Sequence, residues 1–197
     1  MGLNTSDAMR STGTAVPLTR ADVEKLLQTV ESTDKLDLSG QNMRGINLSE
    51  LKLAGANLSG TNLMAANLSA ANLSKATLIG TNLCGANLVA ADLSEANLSE
   101  ADLIGANLIM TKLKGADLSH ANLSRALLLM ANLTAAILEQ AILSGAYMCH
   151  ANLSEARLEQ AILSGTILKA ARMYESEKSL LENRGVIDLE KVQVIVR

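Results

Sequence analysis

The chain has 197 residues and carries 17 Lys and Arg against 20 Asp and Glu, a formal net charge of −3. That balance argues against a polyanion-binding surface and against a strongly acidic one. Although 48% of the residues are hydrophobic, there is no Phe or Trp and there are only two Tyr, so a conventional core built on buried aromatic rings is excluded.

Residues 1–16 are polar and rich in Gly, Ser and Thr, and read as a flexible N-terminal segment. They lack the apolar stretch of about seven to fifteen residues that marks a secretory signal. Nowhere do about eighteen apolar residues run together, as a membrane span requires. The expectation is a cytoplasmic protein without membrane contact. Residues 17–35 then read as a helical N-terminal cap. Thr19 serves as N-cap with Asp22 three residues on, and Leu18 is placed to staple onto Val23. Val23, Leu26, Leu27 and Val30 mark the apolar face of an amphipathic helix over 19–31.

From Leu38 to Met173 every fifth residue is Leu or Met, twenty-eight times without interruption, with Met only at 43, 148 and 173. Two residues before this centre stands Ala in twenty units and Thr in four (Thr61, Thr81, Thr111 and Thr166). The residue between is most often Asn or Asp, and the residue after is Ser in twelve units. All ten glycines from Gly40 to Gly165 occupy the last position. On an α-helix five steps advance about 500°, so such leucines would wander around the cylinder. In a continuous strand an odd period throws them to alternate faces. The pattern asks for three extended residues, Ala and Leu inward and Asn outward, and then a corner where glycine's tolerance of positive φ is useful.

Units such as Ala56-Asn57-Leu58-Ser59-Gly60 and Ala91-Asp92-Leu93-Ser94-Glu95 resemble the motif of the pentapeptide-repeat family, and the resemblance covers residues 36–175. It implies an all-β solenoid, a right-handed quadrilateral β-helix with four units per coil. Twenty-eight units then make about seven coils, a rod roughly 34 Å long at ~4.8 Å per coil.

Residues 176–197 form a C-terminal tail. A short helix is expected from Ser176 to Asn183, closed by Gly185. Ile187 to Lys191 and Val192 to Val196 read as two degraded units, one residue out of register. They are expected to add to the last coil or to pair with a second molecule, with a homodimer through this end slightly favoured.

With four units per coil, residues twenty apart stack in columns. Asn47, Asn67, Asn87 and Asn107 form an amide ladder, continued by Leu127, Tyr147 and Ile167. Beside it run Ser49, Ser69, Val89, Ile109, Leu129 and Cys149, with Met110 and Met130 at the adjoining corner. Val89, Ile109, Met110, Leu127, Leu129, Met130 and Tyr147 thus form an apolar patch, the expected partner-binding surface. The alternative is that these residues simply stack well as ladders. A second group, Ile137, Ile142, Ile162 and Ile167, is expected to meet Val192, Val194 and Val196 of the tail or of a dimer mate.

Chemistry finds no convergence point. Cys84 and Cys149 fall on different faces, too far apart for a disulfide. His120 and His150 fall on opposite faces, so no metal site is expected, and no cofactor site either. Glu95, Glu100 and Asp102 are spread over a convex surface, whereas catalysis needs convergent groups in a concavity. The reading is a non-catalytic scaffold that binds a protein partner or itself, without nucleic acid. The resemblance implies an alternative, since some family members mimic duplex DNA and protect DNA gyrase. Those relatives favour Phe centres and acidic surfaces, which this chain lacks.

Overall fold

The computed structural model describes residues 17–182 and 184–195. Helix α1, Arg20–Thr29, leads through a 3₁₀ turn, Thr33–Lys35, into a solenoid of single-residue parallel bridges that runs from Asp37↔Asn57 to Asn152↔Arg172. Every bridge of that run joins residues twenty apart, which is four five-residue units. The two-residue strand β1, Arg172–Met173, pairs in parallel with β2, Gln193–Val194. Between them lie helix α2, Glu175–Leu181, and a 3₁₀ turn, Leu189–Lys191.

The unit explains why so little continuous strand forms. Asn62, for example, donates its N–H to Gln41 O of one neighbouring coil, while its carbonyl accepts from Met43 N. Directly after the centre the chain turns, with Ala66 N bonded back to Leu63 O at 3.0 Å. Only one residue per side is therefore free to bridge. The inward positions behave as the spacing predicts: every centre from Leu38 to Met173 and every Ala of the column before it is buried, and together they make one continuous core. The four threonines of that column are buried without loss: Thr61 donates its hydroxyl to Leu58 O within its own turn, and Thr81, Thr111 and Thr166 donate theirs to the Leu58, Leu88 and Leu143 carbonyls of the preceding coil.

The corners differ from the sequence expectation. Positive φ occurs at every fifth position from Gly40 to Ala170, glycine or not, including Glu50, Glu95, Met110, Arg125 and Met130. A non-glycine residue there costs roughly 1 kcal/mol. The corner persists because neighbouring coils over-determine it: Met110 N, for example, bonds to Leu129 O at 2.9 Å. Most Asn and Asp side chains also act locally rather than along the stack. Asn107 Oδ1 accepts Ile109 N at 3.2 Å within its own turn, the bond characteristic of Asx turns. Amide bonds between coils are fewer, as in Asn87 to Asn67 at 3.3 Å.

A solenoid end leaves ladder groups without a partner, and charged side chains occupy several of them here. At the first coil the Arg20 guanidinium donates to Ser49 O at 3.0 Å and Asn47 O at 3.4 Å, while Thr33 Oγ1 donates to Ala54 O. At the last coil the Glu177 carboxylate accepts Glu155 N at 2.9 Å and also the N–H of Tyr174. Arg184 donates to Leu158 O at 3.2 Å and to Ala161 O. Helix α1 carries the Thr19 and Asp22 capping box and buries Val23, with Leu18, Leu26, Leu27 and Val30 packed partly against the core.

The tail corrects three readings. Helix α2 begins at Glu175 and ends at Leu181, and Gly185 does not close it; instead its carbonyl accepts Gly165 N at 2.8 Å as a rung of the ladder. Ile187 bridges Ile167, twenty residues away, so this segment is in register. The one-residue shift enters only afterwards, in the turn Leu189–Lys191, so that Gln193 stands opposite Arg172. The tail therefore pairs within the chain. Val192 packs partly against the core, Val194 is exposed, and Val196 lies outside the described residues, as do residues 1–16.

Candidate interaction surface

Each bridge places its outward residue directly over its neighbour, so the columns can be read from the pairings. Asn107 bridges Leu127, Leu127 bridges Tyr147, Tyr147 bridges Ile167, and Ile167 bridges Ile187. Four apolar residues thus stand in one unbroken file. Leu127, Tyr147 and Ile187 are exposed, Tyr147 by 48%, and Ile167 is half-buried. In the same four units and those before them, Leu129, Met110 and Met130 are exposed, whereas Val89, Ile109 and Cys149 are half-buried. The structure gathers all seven residues of the expected patch on one face. It adds Ile187, which the sequence reading assigned to the tail alone.

The fold gains little from these residues. Where Asn stands at the bridge its side chain closes the turn, as Asn87 Oδ1 does with Val89 N at 3.2 Å; Leu127 and Tyr147 forgo such a bond, worth roughly 1 kcal/mol. Met110 and Met130 sit at positive-φ corners with more than half their surface exposed. Neither position asks for a long apolar side chain.

The second group is dispersed. Ile137 stands between Asp117 and Arg157, Ile142 between Asn122 and Ile162, and only Ile167 meets the tail. Ile162 is 51% exposed. The Asn-to-Ile changes therefore do not mark one contact with Val192 and Val194.

Titratable groups remain scattered. Both cysteines are free thiols. Burial pushes Cys84 up to about 11, assisted by the Asp102 carboxylate of the next coil. For Asp92 burial acts upward, but bonds from Ser94 and the Lys112 ammonium outweigh it and hold the carboxyl below its ordinary value. Among the described residues no group of three or more His, Cys, Asp or Glu could hold a metal ion, and no helix is long and apolar enough to cross a membrane.

Comparison with known proteins decides the family. The model for pentapeptide repeats matches over residues 36–69, 66–103, 91–128, 101–140 and 131–169. The chain belongs to the pentapeptide-repeat family. Among solved pentapeptide-repeat structures, HetL of the cyanobacterium Nostoc sp. strain PCC 7120, involved in heterocyst differentiation regulation, is 26% identical over 89% of this chain and 94% of its own, with a TM-score of 0.40. Rfr23 of the cyanobacterium Cyanothece 51142 is 24% identical over 84% of this chain and 98% of its own, with a TM-score of 0.34. QnrB1, a plasmid-mediated fluoroquinolone resistance protein, is 16% identical over 81% of this chain and 85% of its own, with a TM-score of 0.47. None of these likenesses bears on function. No curated protein sequence matches the chain.

Proposed function

We propose that this pentapeptide-repeat protein is a non-catalytic scaffold that binds a protein partner, or a second copy of itself, through the face carrying Leu127, Leu129, Met130 and Tyr147. The observation that carries the reading is the unbroken file Leu127, Tyr147, Ile167 and Ile187, flanked by exposed Leu129 and Met130. Contiguous apolar surface on an otherwise polar rod marks an interaction site, and flexible methionines at its margin suit adaptable contact. On this reading the rod has about seven coils, α1 with Arg20 and α2 with the Arg184 that follows it close its ends, and the protein works in the cytoplasm. The gyrase alternative draws little from the described surface columns, where carboxylates are interspersed with Lys, Arg, Asn and Gly and only Glu139 and Glu159 stand in direct succession.

The test compares the native chain with Leu129→Glu in affinity capture and light scattering. Loss of the partner, or of self-association, with unchanged thermal stability is expected. Unchanged capture and unchanged mass would remove this face as an interface.

A further inference from the structure

Around Leu127, Leu129 and Met130 the neighbouring charges are cationic, whereas Asp188 and Glu190, beside Ile187 at the end of the file, lie against Lys191 at 2.6 and 3.8 Å. Arg125 occupies the corner that leads into Leu127, and its Cγ lies 3.6 Å from where a Cβ on Gly145 would stand, so its stem runs toward the Tyr147 rung. Lys112 and Lys114 follow Met110 on the adjoining face, and Lys169 stands one coil beyond Cys149. All four are exposed. On the adjoining face Asp92 is paired with Lys112 at 3.3 Å, and Glu95, whose Cγ lies 3.7 Å from where a Cβ on Gly115 would stand, is paired with Lys75 at 3.7 Å; Glu155 stands two coils beyond Gly115. Glu50 lies in the same corner column as Met110 but three coils away from it. Between Leu103 and Leu138 the single acid is Asp117, on the opposite face of the rod. Arg125, Lys114 and Lys169 have no carboxylate within salt-bridge distance among the described residues.

We infer that the occupant of this face is an acidic amphipathic protein segment, its apolar side chains against Leu127, Leu129, Met130 and Tyr147 and its carboxylates against Arg125, Lys114 and Lys169. This rests on the interface reading given above and narrows it. Complementary charge steers encounter and penalises like-charged partners. A two-fold contact between copies uses the same patch on both, which brings one cationic rim against another. A second copy is therefore the disfavoured occupant, and a carboxylate-rich partner is the favoured one.

The probe is a dye-labelled synthetic helical peptide with leucines on one face and glutamates on the other. Controls are the same peptide with lysines for glutamates, and vesicles of mixed phosphatidylglycerol and phosphatidylcholine. Binding to the full chain is followed by fluorescence anisotropy. The rim variant is Lys114→Glu/Arg125→Glu/Lys169→Glu; the fold holds glutamate at the corner position of Arg125, as Glu50 and Glu95 show, and at the position after the centre, that of Lys114 and Lys169, as Glu139 and Glu159 show. The acidic peptide should bind, and should weaken at least about tenfold in the rim variant and on raising salt from about 0.05 to 0.5 M, where screening shortens to a few Å. The lysine peptide should bind only the rim variant. Absence of acidic-peptide binding, equal binding by native chain and rim variant, binding to the vesicles alone, or self-association of the native chain would each overturn the inference. Capture of a natural partner that is lost in Leu129→Glu but intact in the rim variant would overturn the acidic occupant and leave the interface. Loss in neither variant would remove both.

Discussion

Replacing Glu177 by Ala should loosen the C-terminal end of the solenoid while leaving its middle untouched. The Glu177 carboxylate is buried and accepts two backbone N–H groups, that of Glu155 at 2.9 Å and that of Tyr174. In the rest of the solenoid the group equivalent to Glu155 N bonds to a carbonyl of the next coil, as His150 N does with Lys169 O. Here a side chain stands in for that carbonyl. A hydrogen bond to a charged acceptor contributes about 1.5–3 kcal/mol when buried. Glu155 itself is exposed and Tyr174 N lies at a helix start, so water can recover part of that loss. A net cost of about 2–3 kcal/mol follows, with the control Glu177→Gln, which keeps the acceptor oxygen, costing about half as much. Amide exchange read by mass spectrometry locates the effect. Stability in a repeat array is a sum of neighbour terms, so protection should fall for residues 153–173 and remain unchanged around Leu88. Uniform loss along the rod, or no loss at Glu155, would refute the argument that this carboxylate closes the ladder.

Two glycine corners should respond differently to alanine. Gly55 has φ +74°, and a Cβ there would stand 3.0 Å from Asp34 Cβ, whereas Gly60, at φ +62°, has nothing within 4 Å. Gly55→Ala should cost about 2 kcal/mol and Gly60→Ala about 1 kcal/mol or less by thermal melting; equal costs would contradict the contact with the segment before the first coil. Cys84, pushed up to about 11 by burial and Asp102, should alkylate at pH 8 at least about tenfold more slowly than an ordinary thiol with a pKa of about 8.5, its smaller thiolate fraction outweighing the greater nucleophilicity of that thiolate. Because the raised value favours the protonated thiol in the folded state, its stabilising contribution is complete below about pH 8.5 and is lost as pH rises toward 11. Alkylation of Cys84 at the ordinary rate would contradict the upward shift at this half-buried thiol.

Legibility followed range. The inward file of Leu and Ala and the N-terminal capping box could be read directly, because each depends on residues within one unit or one helical turn. The return after four units could not be read from the spacing, since one unit carries no record of the angle between successive sides; the family resemblance supplied it. The positive φ of Glu95 or Met110 was hidden for a related reason, as hydrogen bonds from neighbouring coils impose it against the residue's own preference. The parts played by Arg20, Arg184 and Glu177 depend on which ladder groups the ends leave open. The apolar face was legible once columns of twenty were assumed, but Ile187 was not assigned to it. Helix α2 and the residues that follow it stand where two units, 176–185, would run, so the chain re-enters in register at Val186 and Ile187. A helix reads as a break in the repeat, and equal length conceals that the phase is kept.

The central claim is that the face carrying Leu129 is where this protein meets its partner. A photo-crosslinking residue placed at 129 in the full chain, in cells of the native host, tests it most directly against the same residue at Ser99, which lies on the opposite side of the rod. The account predicts a discrete covalent adduct with another protein from position 129 and none from position 99. Adducts of equal yield from both positions, or from 99 alone, would contradict it.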